Sequence, residues 1–339
     1  MLKTLEKLCL LSGPSGNEDS VRNFILNEIK DYCEAKVDRN GNIICFKKGE
    51  NRPTRKVMLD AHLDEVGVII TSVTDDGFLH FETVGGILTE ALLGARLKIG
   101  ETVGVIGVKP VHLCGNDERK NLPKADSLLI DIGAENKDEA LKLISIGDIG
   151  TFDSDFTYLS KDIIRAKALD DRAGCAVIIS LLKEKAMYDF YATFTVGEEV
   201  GLRGAKTAAY TVEPDCAIVL EATTSSDLQG TPEEKTVCKL GAGAAISFMD
   251  NATLYNQKLF KKALNTAKNN NISVQVKNAV AGGNNAGAIH LSNGGVNTLA
   301  VSLPCRYIHS PYSVACTADL ESVLCLAREL TSAFAKEDL

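Results

Sequence analysis

Two histidines and five acidic residues draw attention because each closes, or lies just beyond, an apolar run. The runs end as Lys56-Val57-Met58-Leu59-Asp60-Ala61-His62, Ala168-Leu169-Asp170-Asp171, Phe194-Thr195-Val196-Gly197-Glu198-Glu199, Ala217-Ile218-Val219-Leu220-Glu221 and Tyr307-Ile308-His309. Imidazole and carboxylate are the donors that hard and intermediate divalent cations take, and such cations polarise carbonyls and acidify water. Together these residues supply the donors of a two-metal hydrolase centre. Singly, none would carry that reading, since a lone histidine in an apolar run is more often a satisfied core residue and paired acids after a strand are more often helix caps. Their joint occurrence does carry it. The chain has only five histidines in 339 residues, and two of them close such runs.

For these groups to meet, the runs must be neighbouring elements. A continuous apolar run bounded by turn residues reads as a strand buried on both faces, the pattern of a helix-covered parallel sheet. In open sheets of that kind ligands bind beyond the carboxyl ends of the strands, so the five runs would deliver their ligands to one rim. Helical spacing of Val21, Phe24, Ile25 and Ile29 predicts a helix over 18–32 that packs on such a sheet. Asn40-Gly41 predicts a turn before the strand Asn42-Ile43-Ile44-Cys45-Phe46. After Asp170 the pattern alternates: helix 173–185, strand 191–196, helix 203–210, strand 216–220, amphipathic helix 254–268, strand 272–276 and a closing helix 318–334.

Between His62 and Asp170 the texture differs. Short runs at 66–73, 77–83, 97–99, 103–108 and 128–132 are separated by Asp75-Asp76-Gly77, Gly85-Gly86 and Gly147-Asp148. A crossover between parallel strands needs only about a dozen residues, so this stretch is an inserted domain, a small β-barrel or sandwich. The expected division is an α/β catalytic domain, helix-covered and mostly parallel, at 1–65 and 164–339, with a β-barrel insert at 66–163.

Composition bounds the partners. A formal charge of -8 and the lack of a lysine-arginine block argue against nucleic acid. No apolar stretch approaches the length of a membrane span, and the start, with Lys3, Glu6 and Lys7 among its leucines, reads as an amphipathic helix and not as a secretion signal. Ten cysteines include no CxxC pair and mostly sit in apolar segments. They read as reduced, buried thiols of a cytoplasmic protein.

The contexts of the ligands carry a resemblance. AHLDEVG at 61–67, ALDDRAGC at 168–175, GEEVGLRGA at 197–205, LEATTSSD at 220–227 and RYIHSP at 306–311 resemble, in order and spacing, the cocatalytic metallo-aminopeptidases. That family includes tetrahedral, deblocking and glutamyl aminopeptidases, and some members carry an endoglucanase label. The resemblance covers essentially the whole chain, including Ser12-Gly13-Pro14-Ser15-Gly16-Asn17-Glu18. It implies two divalent cations, zinc or cobalt with manganese as a third candidate. His62 and Glu221 would hold one, Glu199 and His309 the other, with Asp170 as the bridge and Glu198 as general base. It also implies a cis peptide between Asp170 and Asp171, short peptides as substrates, and an insert that builds dimers into a closed dodecamer.

Other residues follow from chemistry. Asp64, two residues past His62, is read as the carboxylate that accepts the histidine's other N–H and fixes its tautomer. Arg172 is read as a buried structural ion-pair partner, and Glu65 has no derivable role. Asn285, in Gly282-Gly283-Asn284-Asn285-Ala286-Gly287, stands where the family usually carries aspartate, and Glu221 stands where many members carry aspartate. Asn285 is taken as a substrate-binding residue, as is Arg306, the best candidate for a carboxylate clamp. The rival reading with the same centre is a carboxypeptidase, deacylase or other amidohydrolase. Adjacent Glu198 and Glu199 also invite a glycosidase reading, but a glycosidase has no use for His62, Asp170, Glu221 and His309.

Overall fold

The computed structural model describes residues 1–116 and 120–336. Its main sheet runs, edge to edge, through Glu34–Val37, Ile43–Lys47, Phe190–Thr195, Val57–His62, Cys216–Thr224, Asn297–Arg306, Ser313–Cys316, Ile163–Ala166 and Thr157–Tyr158. The parallel part is the central four strands, from Phe190–Thr195 to Asn297–Arg306. The outer strands pair antiparallel. Every residue of Val57–His62 is buried, which is why it reads as a continuous run.

Alternate side chains of that strand enter two different cores. Val57, Leu59 and Ala61 pack with the helices Leu2–Leu10, Asp19–Ile29, Leu169–Lys183 and Thr317–Lys336, through residues such as Leu8, Ile25, Ile178 and Phe334. Met58 faces the other layer, with Ala205, Ala209 and Val212 of helix Arg203–Val212 and Ile289 of helix Ala286–Ile289. Helix Leu169–Lys183 is buried nearly all round, as a helix lodged between a sheet and three other helices must be. Helix Gln257–Asn269 starts later than its amphipathic pattern because the Asn256 side chain accepts the amides of Lys258 and Leu259 and so sets the first turn.

The insert is a closed barrel of Gly67–Val73, Leu79–Val84, Ile130–Asp131, Thr102–Ile106, Arg96–Ile99 and Ile149–Phe152, with a core of its own that includes Val68, Ile70, Phe81, Leu97 and Ile130. Its closing strand, Ile149–Phe152, was not among the expected runs, since four residues with a glycine inside present no pattern. The chain rejoins the main sheet at Thr157–Tyr158, inside the range expected for the insert.

Two of the five ligand runs are not strands: Tyr307-Ile308-His309 lies past the end of strand Asn297–Arg306, with Tyr307 at φ 58° and His309 at φ 56°, and the run at 168–171 opens a helix. Ala168 adopts a left-handed backbone at φ 52°, the Asp170–Asp171 peptide is cis, and these residues form the irregular first turn of helix Leu169–Lys183. The adjoining strand, Ile163–Ala166, ends before the acidic pair. Two apolar residues, Ala168 and Leu169, are too few to make another strand.

Candidate metal centre

Sheet register brings the first two candidate ligands together. Val219 pairs with Asp60, and continuing that register by two residues sets Glu221 beside His62 on the same face. Thr195 flanks His62 on the other side, and Ser302 flanks Glu221. The His62 Nε2 atom lies 3.2 Å from Asp170 Oδ1 and 3.4 Å from Glu221 Oε1. Across Asp170, His309 Nε2 lies 3.4 Å from Oδ2 of the same carboxylate and 3.3 Å from Glu199 Oε2. Asp170 thus turns one oxygen to each histidine-carboxylate pair.

Each imidazole has its other nitrogen engaged. His62 Nδ1 donates to the main-chain carbonyl of Asp64 at 3.0 Å, and His309 Nδ1 donates to the Gly86 carbonyl at 2.7 Å. Both Nε2 lone pairs are thereby aimed at the centre. Gly86 follows the barrel strand Leu79–Val84, so a residue next to the barrel orients His309, which lies beyond a strand of the main sheet.

Asp64 faces both His62 and the glutamate turn. Its Oδ1 is 3.5 Å from His62 Nδ1, which bonds instead to the Asp64 carbonyl. The carboxylate accepts the amides of Glu198 and Glu199 at 3.0 and 3.1 Å and the Ser15 hydroxyl at 2.6 Å. It therefore pins the turn that carries both glutamates. That turn lies beyond Phe190–Thr195, with Gly197 at φ 63° and Gly201 at φ 118°, so strand alternation no longer applies and both glutamates line one cavity.

The donor set fits divalent cations. Carboxylates outnumber imidazoles, and buried Glu199 Oε1 and Glu221 Oε2 have no hydrogen-bond partner. An unpartnered buried acceptor costs about 1–3 kcal/mol, which a cation would offset. His62, Glu198 and Glu199 offer atoms within 4.8 Å of one another, as do Asp170, Glu199 and His309. Asp171 also lies that close to His62 and Glu221, but its two oxygens accept the amides of His62 and Gly174.

The electrostatics describe a site short of positive charge. Burial, reinforced by Asp170 and Asp64 and opposed by His62, pushes Glu198 up to about 7. Burial and Asp170 push Glu199 up to about 8. Burial disfavours charge on both imidazoles. Neighbouring carboxylates outweigh it, holding His62 well above its ordinary value and raising His309 to about 9. Burial would raise Asp170, yet the two imidazoles hold it far below the carboxylate range.

Around these groups lies a cavity of about 220 Å³ lined by Asp170, Glu198, Glu199, Glu221 and His309. Residues 41–326 match the M42 glutamyl aminopeptidase family. The chain belongs to that family. It is 41% identical to a putative aminopeptidase of Acetivibrio thermocellus, over 97% of this chain and 98% of that protein. It is 32% identical to the lysyl aminopeptidase of Pyrococcus furiosus, over 96% and 95%. Among solved structures, the TET1 peptidase of Pyrococcus horikoshii, described as assembling into a tetrahedron or a large octahedral shell, superposes with a TM-score of 0.86 at 33% identity, over 99% of each chain.

As an M42 member the chain is a peptide hydrolase, and two of the residues expected to touch substrate do not line its cavity. Arg306 is paired in bidentate fashion with Asp227, both contacts at 2.8 Å. Asn285 is 1% exposed, and its amide donates to Asp60 Oδ2 and Thr195 Oγ1, each at 2.8 Å, in the layer beneath His62. Burial pushes Asp60 up to about 6. An aspartate at 285 would set two carboxylates against each other in this dry layer, so the departure at 285 answers the acid at 60.

Glu65 has a clear place. It is 2% exposed and accepts from Lys167 at 2.6 Å, from Arg172 at 3.2 Å and from the Gly13 amide at 3.1 Å. Arg172 also donates to the carbonyls of Leu8 and Gly13, tying the first helix to the site. Sequence reading found Arg172 but not its partner. An acid directly after the AHLD segment, with no regular position of its own, was the available signal.

Proposed function

We propose that the chain is a metal-dependent aminopeptidase that removes the first residue of short peptides. The observation that carries this reading is the Asp170 carboxylate, which turns Oδ1 toward His62 and Oδ2 toward His309. On this reading His62, Glu221 and Asp170 would hold one divalent cation, and Glu199, His309 and Asp170 would hold a second. Imidazole and carboxylate suit zinc, cobalt or manganese. When bound, such a pair supplies Lewis acidity toward a peptide carbonyl and acidifies water.

Glu198 is the proton carrier: it takes a proton from the attacking water and delivers it to the departing amine. Its place in the cavity wall and its amide bond to Asp64 support that role. Asp64 holds the carrier in place. The carboxylates Glu198, Glu199 and Glu221 favour a substrate ammonium at the rim, while the best clamp for a terminal carboxylate, Arg306, is occupied by Asp227.

The test compares a peptide with a free amine and an amidated carboxyl end against its acetylated, free-carboxyl counterpart. Release of the first residue from the former is expected. Faster hydrolysis of the acetylated peptide, with loss of its last residue, would move the assignment to a carboxypeptidase.

We also propose that the barrel mediates self-association into dimers and a closed dodecamer. Val103, Val105, Val108, Val111 and Leu113 are exposed apolar residues of the insert, which supports an interface there. Light scattering that finds only monomer in the metal-loaded protein would refute it. Ten free cysteines, most of them buried, support a reducing, cytoplasmic setting. Among the described residues no helix is long and apolar enough to cross a membrane.

A further inference from the structure

The two imidazoles of the candidate centre are held in different ways. His62 closes a strand that is buried throughout, and its Nδ1 donates to the carbonyl of Asp64, two residues on in the same segment. His309 lies beyond a strand end with a left-handed backbone at φ 56°, and its side chain is 31% exposed. What orients its ring is the bond from Nδ1 to the Gly86 carbonyl, 223 positions away, in the bend that leaves the barrel strand Leu79–Val84. The residue before it, Gly85, has φ 86°, a conformation that side chains with a Cβ rarely adopt. A Cβ at Gly85 would lie 2.9 Å from Val66 Cγ1 and 3.2 Å from Glu199 Cβ, both closer than ordinary van der Waals contact. The bend therefore touches His309 and Glu199, whose side chains approach to 3.3 Å on one side of Asp170, and the next residue, Ile87, anchors it by packing on the barrel core.

We propose that the Gly85-Gly86 bend is a positioning element for one of the two cations, the one assigned to His309 and Glu199, and that this position requires glycine at 85. The inference rests on the two-cation reading above. An imidazole meets a cation through one lone pair, and the acceptor at its other nitrogen sets both the tautomer and the direction of the ring. For His62 that acceptor belongs to the ligand's own segment, so it is in place whenever the strand is. For His309 it arrives from a distant part of the chain. A side chain at 85 would push the bend outward, lengthen the 2.7 Å bond at Gly86 and press on Glu199 at the same time. The two cation positions should then respond unequally: the His309 and Glu199 side weakens, while the His62 and Glu221 side keeps its donors. Asp170 turns one oxygen to each histidine, so it cannot be the source of such a difference.

The experiment uses the full chain stripped of metal and titrated with cobalt(II), with bound metal counted by equilibrium dialysis and elemental analysis. The wild type should take up two equivalents. Gly85→Ala should weaken one of them roughly 10- to 100-fold, the range for loss of a group that orients a metal-binding histidine, and leave the other unchanged. Leu88→Ala, three residues further along and 73% exposed, should bind both as the wild type does. Ile87→Ala loosens the bend without adding a clash; it should weaken the same equivalent to a smaller degree, and it carries the test if Gly85→Ala does not fold. His309→Ala should lose that equivalent by itself, and adding Gly85→Ala to it should weaken the remaining one no further. A Gly85→Ala protein that loses affinity for both equivalents alike, or for neither, overturns the proposal and leaves the bend a structural connection, and Ile87→Ala is judged by the same criterion. A wild type that binds fewer than two equivalents refutes the two-cation reading and this proposal with it.

Discussion

Replacing Glu65 by glutamine should destabilise the protein by about 3–5 kcal/mol, the range for breaking a buried ion pair by removing one partner. Glu65 is a carboxylate that two buried cations share, with both oxygens 2.6 Å from Lys167 Nζ and Oε1 3.2 Å from Arg172. The Lys167 and Arg172 side chains are 5% and 0% exposed, so water cannot replace the lost charge. Glutamine would also turn an NH₂ toward an ammonium, donor against donor. Lys167, whose pKa burial already lowers, can shed its proton, whereas Arg172 cannot, so the loss should shrink as pH rises. Against a total stability of about 5–15 kcal/mol, the change is large. Urea denaturation at fixed metal loading should show a lower midpoint with an unchanged slope. The double variant Glu65→Gln, Lys167→Met removes one orphaned cation and should recover at least about 1 kcal/mol relative to the single glutamine variant. A single variant within about 1 kcal/mol of wild type, or a double variant equal to the sum of the two singles, would refute the shared-carboxylate account.

Asp170→Ala removes the group that faces both clusters and should lose both metals and all turnover, while Glu198→Gln should keep metal and fold yet lose most turnover. Elemental analysis of the two purified variants decides it, and a metal-free or fully active Glu198→Gln would falsify the role assignment. Metal uptake should release protons, because without cations His309 titrates near about 9 and Glu199 near about 8, so both hold protons at neutral pH that a cation must displace. Apparent affinity should therefore rise with pH; calorimetry in two buffers of different ionisation enthalpy counts the protons, and a count of zero contradicts the prediction.

Local sequence was enough to mark the strands and several chemical groups. Val57 to His62 and Ala217 to Glu221 are legible because burial on both faces leaves an unbroken apolar run, and a charged or imidazole group at its end has no local structural use. The insert was legible in the same way, from short runs cut by Gly85-Gly86 and Gly147-Asp148. Asp170 was legible as a residue but not as an element, because a two-residue apolar run cannot tell a strand end from the first turn of a helix.

What the sequence alone determined, then, is which side chains are chemically capable and which segments bury them, since both follow from residue type and period. Tertiary structure decided the partners. The bonds from Lys167 to Glu65 and from His309 to Gly86 join residues 102 and 223 positions apart, and no local pattern encodes such a pairing. The same holds for Asn285, which packing carries away from the cavity to Asp60. Each of these outcomes depends on desolvation, the loss of water around a polar group once the layers close. A group's exposure is a property of the packed layers, so its energetic need for a partner emerges only when they form.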